Sequence, residues 1–254
     1  MVRGYLKLQL AEIMHVSDPA KAQEILLSAV SDNRRVTKPL AGITHVKLTA
    51  PAGQAAACAS FMSKRFIDTN ALVLFANALA ADLEWDKDRT DRFEAAMRDL
   101  GLLLGFGSQR PDKDYRDGGP DVLWAVGALR FLVIECKSGV DQDGRLISKD
   151  HCNQLLGAHS WFKTNYDHSC QSTPILVHPN SRFQNEASPS PDMRIIDDDK
   201  LNKLRQAVRK FGAAVAGLGG FRDEAEIAKK LDQFGFTAAK FVDTYTRPFS
   251  VQTK

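Results

Sequence analysis

The sequence contains no Cys-x-x-Cys pair. Its four cysteines, Cys58, Cys136, Cys152 and Cys170, are scattered through 254 residues. That spacing gives no disulfide framework and fits a reducing, cytoplasmic compartment. His151, Cys152, His168 and Cys170 lie close in the chain, but their spacing matches no common zinc finger, and the thiols read as ordinary helix and loop residues. No apolar run approaches the roughly 18 to 20 residues of a membrane helix, so no membrane partner is expected. The opening stretch MVRGYLKLQLAEIMHVSD meets Glu12 soon after its apolar part and has no small-residue cleavage site, so it is a poor signal peptide. A Walker A glycine–lysine loop is missing, which leaves any ATP-driven motor to another domain or chain. Helix-turn-helix, zinc-finger and homeodomain patterns are missing too, so nothing here reads base sequence. Excess charge of one sign is slight: 34 Lys and Arg against 31 Asp and Glu, a formal +3. A nucleic-acid partner would therefore need a local basic face.

What is present is an ordinary globular composition, 44% apolar and 26% charged, in a chain long enough for a substantial core. Residues 1–87 read as a mostly helical region. DPAKAQEILLSAVSDNRR has Asp18 as a cap and Pro19 in the first turn. THVKLTAP alternates like a short strand. GQAAACASFMSKRF and DTNALVLFANALAADLEW read as helices, the second capped by Asp68 or Thr69. DKDRTDRFEAAMRDLGLLLGF is a further helix. The texture then changes. GSQRPDKDYRDGGP is a loop by composition. DVLWAVG and LRFLVIECK follow as two strands of a hairpin, apolar on both faces, as suits the centre of a covered sheet. After a polar loop, SKDHCNQLLGAHSWFKTNY is a helix capped by Ser148. TPILVHP and MRIID are strands, and DDKLNKLRQAVRKFGAAVAG is a helix with an acidic start. Residues 213–254 read as a helical extension.

The hairpin brings three charged residues together. Residues two apart on a strand face the same way, so Glu135 and Lys137 point together and Cys136 points away. Asp121, at the start of the neighbouring strand, comes close to Glu135. Two carboxylates that close repel unless a cation lies between them. Hard oxygen ligands suit Mg²⁺ or Mn²⁺, and the Cys136 carbonyl offers another oxygen. Lys137 is placed to orient a water. Such a set suits attack on a phosphodiester. The competing reading is an Asp–Lys–Glu salt-bridge cluster at a strand end.

GPD, a strand, and then VIECK resemble the PD-(D/E)XK motif of the restriction-endonuclease-like nuclease superfamily. Glu94 in DRFEAAMRDLG matches the acidic residue that many members carry on the helix before the first core strand. Gln154 in HCNQLLG matches the glutamine that many carry on the following helix. The pattern looks most like the methyl-directed restriction and Holliday-junction resolvase branches, and the resemblance covers roughly residues 88–212. It implies an α/β fold with a central mixed β-sheet flanked by helices. It also implies a strand supplied in short form by LLLGFGSQRP. The resemblance makes Asp121 and Glu135 metal ligands and gives Lys137 the water. Glu94 would act through water or a second metal, and Gln154 would steady the site. The activity implied is a Mg²⁺- or Mn²⁺-dependent endonuclease of restriction, phage defence or repair.

Phosphates need cations near the metal. Arg110, Lys113 and Arg116 in the loop before Asp121, with Lys149 and His151 at the start of the next helix, are the candidates. Acidic neighbours are interspersed among them, so any single one can equally be a solvated surface charge. Trp124 belongs in the core, and Trp161 either rims the site or packs against TPILVHP. The partners this reading admits are DNA, a helicase or ATPase domain or subunit, and a second copy of the chain. An inactive DNA-binding or assembly module on the same fold, or an RNA nuclease, are the alternatives.

Overall fold

The computed structural model describes residues 2–38, 47–115, 118–140, 146–218 and 220–251. Four helices come first: α1 (Val2–His15), α2 (Pro19–Asp32), α3 (Gln54–Arg65) and α4 (Thr69–Asp82). Their starts follow the sequence signals. The Asp18 carboxylate accepts from the Lys21 N–H and the Asp68 carboxylate from the Ala71 N–H, each satisfying an amide that a first helical turn leaves free. The segment expected as a strand before Pro51 is different. Residues 44–46 lie outside the described residues, and 47–51 belong to no strand.

The central part runs α5 (Thr90–Leu103), β1 (Gly107–Gln109), α6 (Pro111–Tyr115), β2 (Val122–Gly127), β3 (Arg130–Cys136), α7 (Lys149–Asn165), β4 (Gln171–Val177), β5 (Arg182–Phe183), β6 (Arg194–Ile196) and α8 (Asp198–Ala216). β1 is the short strand expected after α5, and α6 is a small helix within a stretch that composition assigns to a loop. The chain closes with α9 (Glu224–Gln233), α10 (Phe241–Tyr245), β7 (Arg247–Pro248) and β8 (Ser250–Val251). The helical extension thus also carries two short strands.

Six strands form one mixed sheet in the order β1-β2-β3-β4-β6-β7. β2 and β3 are the antiparallel hairpin, with Val122 opposite Ile134, while β3 and β4 run parallel, with Cys136 opposite Val177. Alternation along the strands divides the core. Val122, Trp124, Leu132, Ile134, Ile175 and Val177 face α3, α4, α5 and α8. Leu123, Ala125, Phe131, Val133 and Leu176 face α7. Both faces are covered, which is why these strands read as apolar throughout. Trp124 is fully buried against Phe106 and Phe241, as a core residue. Among the described residues no helix is long and apolar enough to cross a membrane.

Gly105 sets how α5 hands over to β1. Its φ is +78°, and a Cβ there would come within 2.1 Å of the Gln54 carbonyl oxygen. Gly105→Ala therefore meets both a left-handed backbone and a main-chain clash. A loss of about 3 kcal/mol is expected in denaturant titration; a change under about 0.5 kcal/mol would refute this close packing of α5 on α3.

Candidate active site

The site lies where β3 and β4 end and β2 begins. The Asp121 Oδ2 accepts from the Cys136 N–H at 2.8 Å, which is the amide joining Cys136 to Glu135. Lys137 Nζ stands 3.5 Å from Glu135 Oε1. The Lys137 N–H donates to the Val177 carbonyl on β4 at 2.8 Å. A trans peptide directs its two polar groups oppositely, so the Cys136 carbonyl points away from β4, to the side of Asp121. The Cys136 thiol is buried and pushed well above its usual range, first by burial and then by the surrounding carboxylates. It is an inert core thiol, and its carbonyl is the part that faces the site.

Glu94 arrives from α5. Arg110, which follows β1, pairs closely with Glu94 Oε2 and lies 3.0 Å from Asp91 Oδ1. Asp121 acts on both glutamates. Glu135 is pushed up to about 7, by burial first and by the Asp121 charge second, against the pull of Lys137. Glu94 is also pushed up to about 7, by burial and then Asp121, against Arg110. Asp121 itself is raised by burial, with Lys137 and the Cys136 amide opposing. Glu135 is 8% exposed, and its Oε2 has no hydrogen-bond partner. Asp121 and Glu135, two buried carboxylates shifted toward their protonated forms, one with an orphaned oxygen, form a pair short of positive charge. Among the described residues no three His, Cys, Asp or Glu side chains are already gathered around one point.

No family model, curated protein or solved structure matches this chain. The site is therefore read from its own chemistry.

The structure brings Asp121, Glu135 and Lys137 together and sets Glu94 within electrostatic reach of Asp121. Gln154 is exposed on α7 and makes no hydrogen bond to the cluster. Arg110 is only 7% exposed and serves as the internal counter-ion of Glu94 and Asp91, so it is not a free phosphate contact. Lys113 pairs with Asp91 at 2.9 Å. Arg116 lies outside the described residues. Lys149 is exposed in the first turn of α7, where Ser148 caps the helix by accepting from the His151 N–H. Trp161 packs beneath Gly119, whose Cβ would come within 3.2 Å of the indole, and so supports the approach to Asp121. His159 is held by the Ser172 hydroxyl at 2.9 Å.

Sequence reasoning missed His178. It follows β4 directly, and the parallel register puts it beside Lys137 at the same strand ends. The available signal was a polar residue closing the apolar run PILV, as Glu135 and Lys137 close the run in the neighbouring strand.

Proposed function

We propose that the chain is a Mg²⁺- or Mn²⁺-dependent nuclease of the PD-(D/E)XK type, cutting DNA phosphodiester bonds. The observation that carries this reading is the meeting of Asp121 and Glu135 beside the Lys137 ammonium, with the Asp121 carboxylate seated on the Cys136 amide next to Glu135. A cluster kept for stability alone would be expected to offset the Asp121–Glu135 repulsion more fully and to leave no carboxylate oxygen orphaned. The restriction-endonuclease-like description of the core rests on the order of its motif residues and on β1 supplying the short strand before Asp121.

The Asp121 and Glu135 carboxylates are the residues to hold the ion, with the Cys136 carbonyl and water completing a shell of hard oxygens. Mg²⁺ commonly uses one or two carboxylates and several waters, so two carboxylates suffice. When bound, the ion neutralises charge on the phosphate and acidifies water. Lys137 shares the site with Glu135 and orients the attacking water by donating to it. Arg110 holds Glu94 in a close ion pair, within electrostatic reach of Asp121. The first turn of α7, with Lys149 exposed, offers positive charge to the phosphates flanking the cut.

End-labelled single- and double-stranded DNA, and the same strands as RNA, test the activity. Cutting of DNA in Mg²⁺ that stops in EDTA is expected; DNA left intact while RNA is cut would move the substrate to RNA.

The two cations at this end should behave differently. Lys149→Ala is expected to lower the slope of log K for DNA against log salt by about one. Arg110→Met should leave the slope alone. It should lower stability, and more at pH 8 than at pH 6, because without the guanidinium the Glu94 carboxyl is pushed up further and must hold a proton or ionise unpaired as pH rises. A reduced salt slope in Arg110→Met would show that Arg110 reaches phosphate after all.

A further inference from the structure

Beside Lys137, two imidazoles present buried nitrogens that nothing in the protein satisfies. His178 is fully buried, and its Nε2 has no hydrogen-bond partner. His151, in the first turn of α7, has its Nδ1 buried and equally unpartnered. The ring centroids are 5.5 Å apart with the planes at 55°. Buried polar atoms without partners are rare in native proteins and call for water or an ion.

The spacing of the rings suits a shared ion. Nitrogen ligands sit about 2.0–2.1 Å from Zn²⁺, so two imidazoles on one tetrahedral centre have ring centroids about 5 Å apart. The far nitrogen of His178, Nδ1, faces the Asn180 main chain: it accepts from the Asn180 N–H at 3.0 Å in one tautomer and donates to the Asn180 carbonyl at 3.2 Å in the other, and ligation at Nε2 selects the second. In the tautomer that donates to the carbonyl, the Nε2 lone pair is free. Backbone support of this kind is what orients metal-ligating histidines. We propose that His151 Nδ1 and His178 Nε2 form a nitrogen-ligand site for a late first-row divalent cation, Zn²⁺ in the first instance, separate from the oxygen-ligand site at Asp121 and Glu135.

Ligation needs neutral imidazoles, and both rings are shifted toward the neutral form. His178 is lowered to about 4, by burial first and then by His151, with the Asn180 backbone opposing and Lys137 adding to the shift. His151 is lowered by burial and then by Lys137, with Asp150 opposing. Because no third His, Cys, Asp or Glu gathers here among the described residues, the other coordination positions are left to water or to a substrate oxygen. Imidazole favours Zn²⁺ over Mg²⁺, so the two sites discriminate between ions by ligand type. The proposal does not depend on nuclease activity.

Zn²⁺ titration of the full chain, by calorimetry and by ¹⁵N NMR of labelled histidines, tests it. Zn²⁺ should move the ring ¹⁵N resonances of His151 and His178, and the shifts should persist in Asp121→Asn. His151→Ala and His178→Asn should each weaken Zn²⁺ binding by about tenfold or more. His178 is buried, so if that variant fails to fold, the half-buried His151→Ala decides alone. Unmoved resonances at these two rings would mean that a bridging water satisfies them. Affinity unchanged in His151→Ala, or shifts abolished by Asp121→Asn, would equally overturn the site.

Discussion

Between pH 5 and pH 8 in metal-free buffer, wild type should lose about 2 to 3 kcal/mol of stability relative to Glu135→Gln. The Glu135 pKa rises from an ordinary 4.5 to about 7 on folding. A raised carboxylate contributes stability that is fully present below its unfolded pKa and is lost as pH climbs through the folded one. Wild type therefore weakens across this window, while Gln at position 135 has no proton to lose. Comparing the two chains matters because His178 works in the opposite direction. Its pKa is lowered to about 4, so its burial becomes less costly as pH rises to its unfolded value. That contribution is common to both chains and cancels in the difference. Millimolar Mg²⁺ at pH 8 should then stabilise wild type and leave Glu135→Gln nearly unmoved, because the ion supplies the charge that the paired carboxylates lack. Denaturant titrations at the two pH values, with and without Mg²⁺, make the comparison. If Glu135→Gln were the less stable chain at pH 8 without metal, Glu135 would be an ordinary salt-bridge partner of Lys137.

The hairpin was the most legible part of the sequence. Two apolar runs separated by a tight turn left little choice of pairing, and period-two alternation put Glu135 and Lys137 on one side. Asp18, Asp68 and Ser148 announced their helices because a capping carboxylate or hydroxyl acts within three residues. Longer-range information was harder to read. Arg110 looked like a loop cation, since nothing local in QRPDKD reveals that Glu94, sixteen residues earlier, folds against it. His178 belongs to the site only through the parallel pairing of β3 with β4, a relation between segments separated by a whole helix. β7 and β8 are two residues each, too short for any alternation, and they exist because the chain end finds partners in β6 and β5. Gln154 fits the resemblance by its order along the chain, and it lies exposed on α7.

Loss of cutting without loss of fold is the second large effect, and the one nearest the central claim. Lys137→Ala removes the group that orients water and keeps both carboxylates, so Mg²⁺ should still stabilise it. Asp121→Ala removes a ligand and the amide contact to Cys136, so Mg²⁺ should stabilise it far less. Each should nick plasmid DNA about a thousandfold more slowly than wild type, as when one member of a metal-hydrolysis site is removed. DNA affinity should change little, because Lys149 and the first turn of α7 are untouched. The direct measurement is plasmid nicking in Mg²⁺ by wild type, Asp121→Ala and Lys137→Ala, with each variant's folding checked by circular dichroism. The account predicts nicking by wild type, stopped by EDTA, and near-complete loss in both folded variants; equal nicking by all three proteins would contradict it.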